Sequence, residues 1–347
     1  MLSFLIRRFL IMLLSAFCLT LIVFLLTNLA PNLEKLAKAE AGTRITDAEV
    51  AAWLEQHGHA RPLITRYGSW LGLAPAWVPP GGGTPDRCRD LPDADHDAPR
   101  FCGILQGNWG TSTVFRGEVA PILGQRLALT GNLMFWVLLV MVPTALLIGV
   151  LAGMREGSWL DRILSGISIA TSATPEYVSG VILIAVFASS MTGLRWFSGT
   201  AGSVAETGPT FDTMFLPVVT IALYGMGYVA RMTRASMAEV MTQQYIRTAR
   251  LKGVKFRNIV MKHALRNALI APFTVIMLQF PWLLNGVVIV ETLFNYRGFG
   301  WALVEAAGNN DMDLLLGCSV VAVVVVLVTQ LISDIGYVLL NPRIRVD

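Results

Sequence analysis

The hydrophobic residues of this chain are gathered into long blocks, and the charged residues lie between them. Six stretches are almost free of charge. They run from Phe9 to Ala30, from Leu127 to Met154, from Ile163 to Leu194 with Glu176 as the one interruption, from Thr213 to Ala230, from Ala268 to Val290, and from Leu314 to Ser333, continuing past Asp334 to Leu340. A bilayer core about 30 Å thick is spanned by roughly 20 helical residues rising about 1.5 Å each. Lipid offers no partner for the edge amides of an open strand, so such blocks must be helical. The pattern predicts an all-α membrane protein with six transmembrane helices.

Composition agrees. Of 347 residues, 54% are hydrophobic and only 14% charged, against about 25% charged in soluble domains. The net charge of +4 is modest, but its placement is informative. Arg7 and Arg8 precede the first block, and Arg155 and Arg162 separate the second from the third. Arg231, Arg234, Arg247, Arg250, Lys252, Lys255, Arg257, Lys262 and Arg266 crowd between the fourth and fifth, and Arg343 and Arg345 follow the sixth. The opposite loops carry mainly Arg195 and Arg297 beside Glu206, Asp212, Asp311 and Asp313. Short basic loops stay cytoplasmic, so both termini are expected in the cytoplasm after an even number of crossings. A basic cluster is also compatible with nucleic acid or anionic lipid. Cytoplasmic loops are basic by default, so no nucleic-acid partner is expected. The charged start and apolar stretch invite a signal-peptide reading, but the stretch is long and Asn28-Leu29-Ala30-Pro31 is a poor cleavage site. Residues 1–30 therefore read as a retained first span, with Met1 to Phe9 lying along the interface.

Residues 31–126 form one large extracytoplasmic loop between helices 1 and 2. Thr46-Asp47-Ala48-Glu49 has the form of a capping box, Val50, Trp53 and Leu54 follow at helical spacing, and Pro62 restarts the pattern towards Tyr67, Trp70 and Leu71. Pro75, Pro79, Pro80, Gly81, Gly82, Gly83 and Pro85 then mark an irregular stretch. It contains Cys88 and Cys102, which the topology favours as a disulfide over two free thiols. Cys18 and Cys318 fall within spans and read as packing residues. His57, His59 and His96 fit no standard zinc spacing, and no metal is expected.

Catalytic signatures are missing. There is no phosphate-binding glycine loop ending in Lys-Ser/Thr, no His-Glu-x-x-His pair and no Gly-x-Ser-x-Gly turn. The chain is not expected to be an enzyme or to hydrolyse ATP, and no internal repeat is evident.

The most informative segment is the basic stretch 235–267. From Tyr245 it reads Tyr-Ile-Arg-Thr-Ala-Arg-Leu-Lys-Gly-Val-Lys-Phe-Arg-Asn-Ile-Val-Met-Lys-His-Ala-Leu-Arg-Asn-Ala to Ala268. The residues predict two short helices around a break at Gly253. Thr248 and Ala249 are small enough for close approach by a partner, and Ile259, Val260 and His263 repeat at helical spacing. A docking element and a solvated loop both fit, and charge alone favours the solvated loop.

The residue order resembles the coupling loop of type I ABC importer permeases, in the form found in the dipeptide and oligopeptide branch. Arg247-Thr248-Ala249 stands at the conserved triplet of that motif, Gly253 at its glycine, and Ile259 with His263-Ala264-Leu265-Arg266 at its later portion. Phe4-Leu5-Ile6-Arg7-Arg8-Phe9-Leu10, Leu29-Ala30-Pro31 and Asn341-Pro342-Arg343-Ile344-Arg345 resemble other family segments. So does Glu291-Thr292-Leu293-Phe294-Asn295-Tyr296-Arg297-Gly298-Phe299-Gly300, where Arg297 replaces the usual Pro. Residues 72–106 look like an insertion relative to the family loop.

The resemblance implies a first-permease (B-type) subunit with the type I permease fold in residues 127–340 and a cytoplasmic tail at 341–347. The expected partners are a second homologous permease, two cytoplasmic ATPases that hold ATP and Mg, an extracytoplasmic solute-binding protein, and the lipid bilayer of a bacterial inner membrane. The implied function is binding-protein-dependent import of peptides by alternating access. Nickel chelates, opines, oligosaccharides and peptide antibiotics are alternative cargoes, and a non-transporting assembly subunit is the alternative from another class. Arg247, Thr248, Ala249, Gly253, Ile259, His263 and Leu265 would couple to the ATPases. Glu176, an ionisable group within a span, and Asn285-Gly286, near Pro281, would line the path; a hydrogen-bonding role for Glu176 and a packing role for the glycine remain equally open. Glu291, Arg297, Gly298 and Gly300 would form an extracytoplasmic gate or turn. Asp334 is expected to pair with Arg231 or Arg234.

Overall fold

In the computed structural model, the described residues are 2–42, 45–78, 101–189 and 196–340. In chain order the helices are α1 (Leu2–Thr27), α2 (Ala30–Ala41), α3 (Asp47–Gln56), α4 (Leu63–Leu71), α5 (Val119–Gly153), α6 (Trp159–Ala173), α7 (Glu176–Phe187), α8 (Val204–Thr207), α9 (Phe211–Met241), α10 (Gln244–Leu251), α11 (Phe256–Asn258), α12 (Leu265–Ala268), α13 (Ile270–Leu293), α14 (Phe299–Gly308) and α15 (Met312–Leu340). A two-residue hairpin pairs β1 (Thr111–Ser112) with β2 (Gly117–Glu118), antiparallel.

Among the described residues, four helices are long and apolar enough to cross a membrane: α1 from Ile6, α5, α9 and α15 to Gly336. Two bent pairs raise the number to six if each is one span: α6 with α7 at 104°, and the Phe256–Ala268 segment with α13 at 49°. The third block is thus not one continuous helix. Pro175 cannot continue an intrahelical ladder and pushes the preceding residue towards extended geometry; Thr174 sits at φ −87°, ψ 120°. Helix α1 is continuous from Leu2 to Thr27.

The chain divides into two compact units. One comprises Met1–Leu5, Leu127–Trp301 and Val326–Asp347. Helix α9 is central to it, with two thirds of its apolar stretch buried (67%). Its core joins Leu133, Val137 and Met141 of α5 to Leu216 and Ile221 of α9 and to Val287 and Val290 of α13. Helices α6 and α9 approach closely at Gly227, where a Cβ would fall 2.4 Å from the Ser168 carbonyl oxygen. Arg234 of α9 binds Asp161 at the start of α6 through both guanidinium edges, Nε–Oδ1 2.6 Å and Nη2–Oδ2 2.8 Å. The Asp161 carboxylate also accepts the Gly157 N–H and the Ser165 hydroxyl. Arg234 therefore pairs with Asp161 rather than with Asp334, which accepts from Gln330 at 3.3 Å, while Arg231 lies over the Tyr228 ring.

The other unit comprises Ile6–Arg126 and Ala302–Val325. Phe24, Tyr67, Trp70 and Leu316 form its core, and the Thr20 hydroxyl meets the Tyr67 phenol at 2.8 Å. The Thr46–Glu49 capping box forms at the start of α3, and Pro31 occupies the first turn of α2, where its missing N–H costs nothing. Asp311 ties the hairpin to the start of α15, accepting from the Ser112 hydroxyl and from the Val114 and Leu314 N–H groups. Cys102 is buried and disulfide-bonded. Cys88, its expected partner, and His96 lie outside the described residues, as does the 79–100 part of the expected insertion.

Candidate functional site

Between α9 and α13 the chain folds into a compact basic segment. Helix α10 is amphipathic: Ile246 and Ala249, three residues apart, are buried, while Arg247, Thr248, Arg250 and Leu251 face outward. Lys252 to Lys255 form the break expected at Gly253. The Gly253 N–H bonds the Arg250 carbonyl at 3.0 Å, and the Val254 N–H bonds that of Ala249 at 3.1 Å. Gly253 takes φ +75°, in the left-handed region that glycine enters without strain.

The chain then re-enters a helix whose middle, Ile259–Ala264, is a widened π turn, a departure often found at functional sites. Ile259, Val260, Ala264 and Ala268 pack with Ile246, Ala249, Met237 and Met241 in one cluster, so the segment is anchored to the end of α9 by apolar contact. The Ser236 hydroxyl bonds the Ala268 carbonyl at 2.8 Å, and Asn267 bonds the Tyr245 phenol at 2.9 Å. A cavity of about 680 Å³ opens beside the segment, lined by Gly153, Arg155, Ala238, Met241, Arg250 and Phe256 among others.

Of the expected coupling residues, Ala249 and Ile259 are brought together in the core. Arg247, Thr248, Gly253 and His263 are exposed, and Leu265 is half-buried. Ala249 packs in the chain's own core, because it shares a helical face with Ile246, while Thr248 faces outward. The outward apolar residue is Leu251, 81% exposed at the end of α10 and flanked by Arg250 and Lys252. Leu251 is not among the residues expected to couple. Its signal was available, since it lies off the 246/249 face of a helix that ends at Gly253.

At the opposite end of α13, the Glu291–Trp301 stretch forms a second constellation. Glu291 is fully buried. Its Oε1 accepts the Thr130 hydroxyl proton and its Oε2 accepts the Trp301 N–H at 3.0 Å. The Thr130 oxygen in turn accepts the Phe299 N–H at 2.8 Å. Two side chains thus satisfy N–H groups in the first turn of α14, where a helix dipole favours negative charge. Tyr296 donates its phenol to the Leu129 carbonyl at 2.8 Å. Burial, reinforced by the Glu291 charge, pushes that phenol above its usual range, so it stays a neutral donor. Gly298 is enforced by space: a Cβ there would lie 2.3 Å from Glu291 Oε1 and 2.5 Å from Thr130 Oγ1. A Cβ at Gly300 would lie 2.7 Å from Val288 Cα. Arg297 projects to Glu206 at 3.2 Å and lies over Trp301.

Glu176 occupies the first turn of α7, 9% exposed, immediately after the Pro175 break. Among the described residues its carboxylate accepts no hydrogen bond, leaving the positive end of the helix dipole to stabilise it. Asn285 and Gly286 lie within α13, with their side-chain positions outside the described residues.

The family model for the binding-protein-dependent transport system inner membrane component matches residues 145–346, covering both the basic segment and the Glu291 constellation. A probable peptide ABC transporter permease of Sinorhizobium fredii is 31% identical over 93% of this chain and 93% of its own length. An oligopeptide transport system permease of Bacillus subtilis is 29% identical over 99% of this chain and 100% of its own. A dipeptide transport system permease of Haemophilus influenzae is 30% identical over 70% of this chain and 78% of its own. With the family model spanning more than half of its length, the chain belongs to the inner membrane components of binding-protein-dependent transport systems.

Proposed function

We propose that this chain is one of two permease subunits of an ATP-driven peptide importer. It crosses the inner membrane six times with both termini cytoplasmic, the bent pairs α6–α7 and Phe256–α13 each counting as one crossing, and it carries a large extracytoplasmic loop between the first and second spans. Its partners are a second homologous permease, two ATPases that hold ATP and Mg, and an extracytoplasmic binding protein. The peptide cargo is supported by the likeness to peptide, oligopeptide and dipeptide permeases of three bacteria.

The observation that carries the reading is the α10 surface. A short helix, bolted by Ile246 and Ala249 to the end of α9, presents Arg247, Thr248 and a largely exposed Leu251 on its outward face. An apolar side chain ringed by cations suits insertion into a partner's groove, with the apolar residue as anchor and the charges as rim. Because the anchor is fixed to α9, a push on α10 moves α9 as a body, and α9 packs on α6, α7 and α13. ATPase closure would thereby become alternating access of the spans, with Glu176 and the Asn285–Gly286 stretch placed along the path.

Reconstitution tests this. The complete assembly in liposomes should take up a labelled dipeptide only with ATP and binding protein, with hydrolysis stimulated by the binding protein. Uptake by this chain alone, driven by an ion gradient, would overturn it.

A further inference from the structure

The unit built from Ile6–Arg126 and Ala302–Val325 holds a cavity of about 320 Å³, a size that encloses a small ligand. Two arginines face it. Arg61 bonds the Ser69 hydroxyl at 2.8 Å and lies 5.2 Å from the centre of the Trp77 ring. Its Nε is buried without an acceptor among the described residues. Arg66 bonds the Asn28 side-chain oxygen and His59 Nδ1. Neither guanidinium forms an ion pair with a carboxylate among the described residues, although Glu40, Asp311 and Asp313 border the same cavity. Asp311 spends its oxygens on Ser112, Val114 and Leu314. Burial and the like charge of Arg61 pull Arg66 below the usual guanidinium range.

The walls are flat and apolar. Trp53 stacks on His57 with centroids 4.0 Å apart, Trp70 lies beneath, and Trp77 closes over Gly58, where a Cβ would lie 2.6 Å from the indole. Trp77 is fixed there by its Nε1–H to the Gln56 carbonyl at 3.3 Å. Two guanidinium groups with no carboxylate partner among the described residues are suited to a bidentate oxyanion, and indole walls are suited to a flat or aliphatic body beside it.

We propose that this cavity is a binding site for a small carboxylate carried on an apolar body of one or two amino acids' size, with Arg61 and Arg66 on the carboxylate and Trp53 and Trp77 on the body. None of the cavity's lining residues belongs to α10, and its occupancy does not depend on how transport is energised.

The test is titration of the purified full chain in phospholipid nanodiscs with N-acetyl-L-phenylalanine, read by quenching of tryptophan emission. N-acetyl-L-phenylalaninamide, which has the same body without the charge, is the comparison. The acid should bind at least about tenfold tighter than the amide, the margin expected for a charge-assisted contact. Arg61→Gln should lower affinity for the acid by a similar factor and leave that for the amide unchanged. The ligand pair on the unmodified chain keeps the test decisive if that variant fails to fold. Equal binding of acid and amide, or no saturable binding of the acid, overturns the proposal. Displacement of the acid by inorganic phosphate at equal concentration would assign the site to oxyanions in general and overturn the apolar-body requirement.

Discussion

The two ends of α13 use polar residues in opposite ways. At Glu291 the carboxylate, the Thr130 hydroxyl and the first-turn amides of α14 satisfy one another inside the protein, and Gly298 leaves no room for a side chain. Between α9 and α13 the cations stay exposed and only the apolar face is consumed. Both stretches lie within the residues that match the family model. The first spends its motif on holding a turn; the second spends it on presenting a surface. Conformity to a motif therefore does not separate structural from docking residues, whereas burial and hydrogen-bond saturation do.

Substitutions sharpen the contrast. Gly298→Val should be the most damaging, because its side chain collides with Glu291 and Thr130; a loss of about 3 kcal/mol is expected, read as a fall in the thermal midpoint of the solubilised protein. Thr130→Val removes a donor to Glu291 and an acceptor for the Phe299 N–H, costing about 2 kcal/mol. Thr130→Ser should restore most of the lost midpoint, and a Ser variant as weak as Val would break the hydrogen-bond account. Gly253→Ala meets no neighbouring atom within 4 Å, so only its φ of +75° opposes it and about 1 kcal/mol is expected. The smallest stability effect belongs to Leu251→Asp, within about 0.5 kcal/mol because the side chain is already in solvent, while ATP-coupled uptake should collapse. That dissociation of stability from function is what the two ends of α13 should not share.

Hydropathy made the blocks legible, because lipid demands long apolar runs whatever the tertiary arrangement. The Thr46–Glu49 box was equally legible, being a contact across three residues. Pro175 signalled a disturbance, but how far α7 turns from α6 is set by packing against α9, which no local pattern encodes. The Thr130–Glu291 bond joins residues 161 positions apart, and Arg234 had acids at 161 and 334 to choose between with nothing in the sequence placing either helix beside α9. Ala249 carries a different ambiguity. Its smallness suits partner contact, but small residues serve equally well for packing a helix onto its own domain, and the three-residue spacing from Ile246 puts it in the cluster beneath α10.

The central claim is that α10 transmits force through an exposed apolar anchor. The direct measurement is binding-protein-stimulated ATP hydrolysis by the complete assembly carrying Leu251→Asp, with Leu251→Met as the conservative comparison. The account predicts that stimulation is lost in the Asp variant, kept in the Met variant, and accompanied in both by normal amounts of folded permease. Full stimulation with Asp at this position would contradict it.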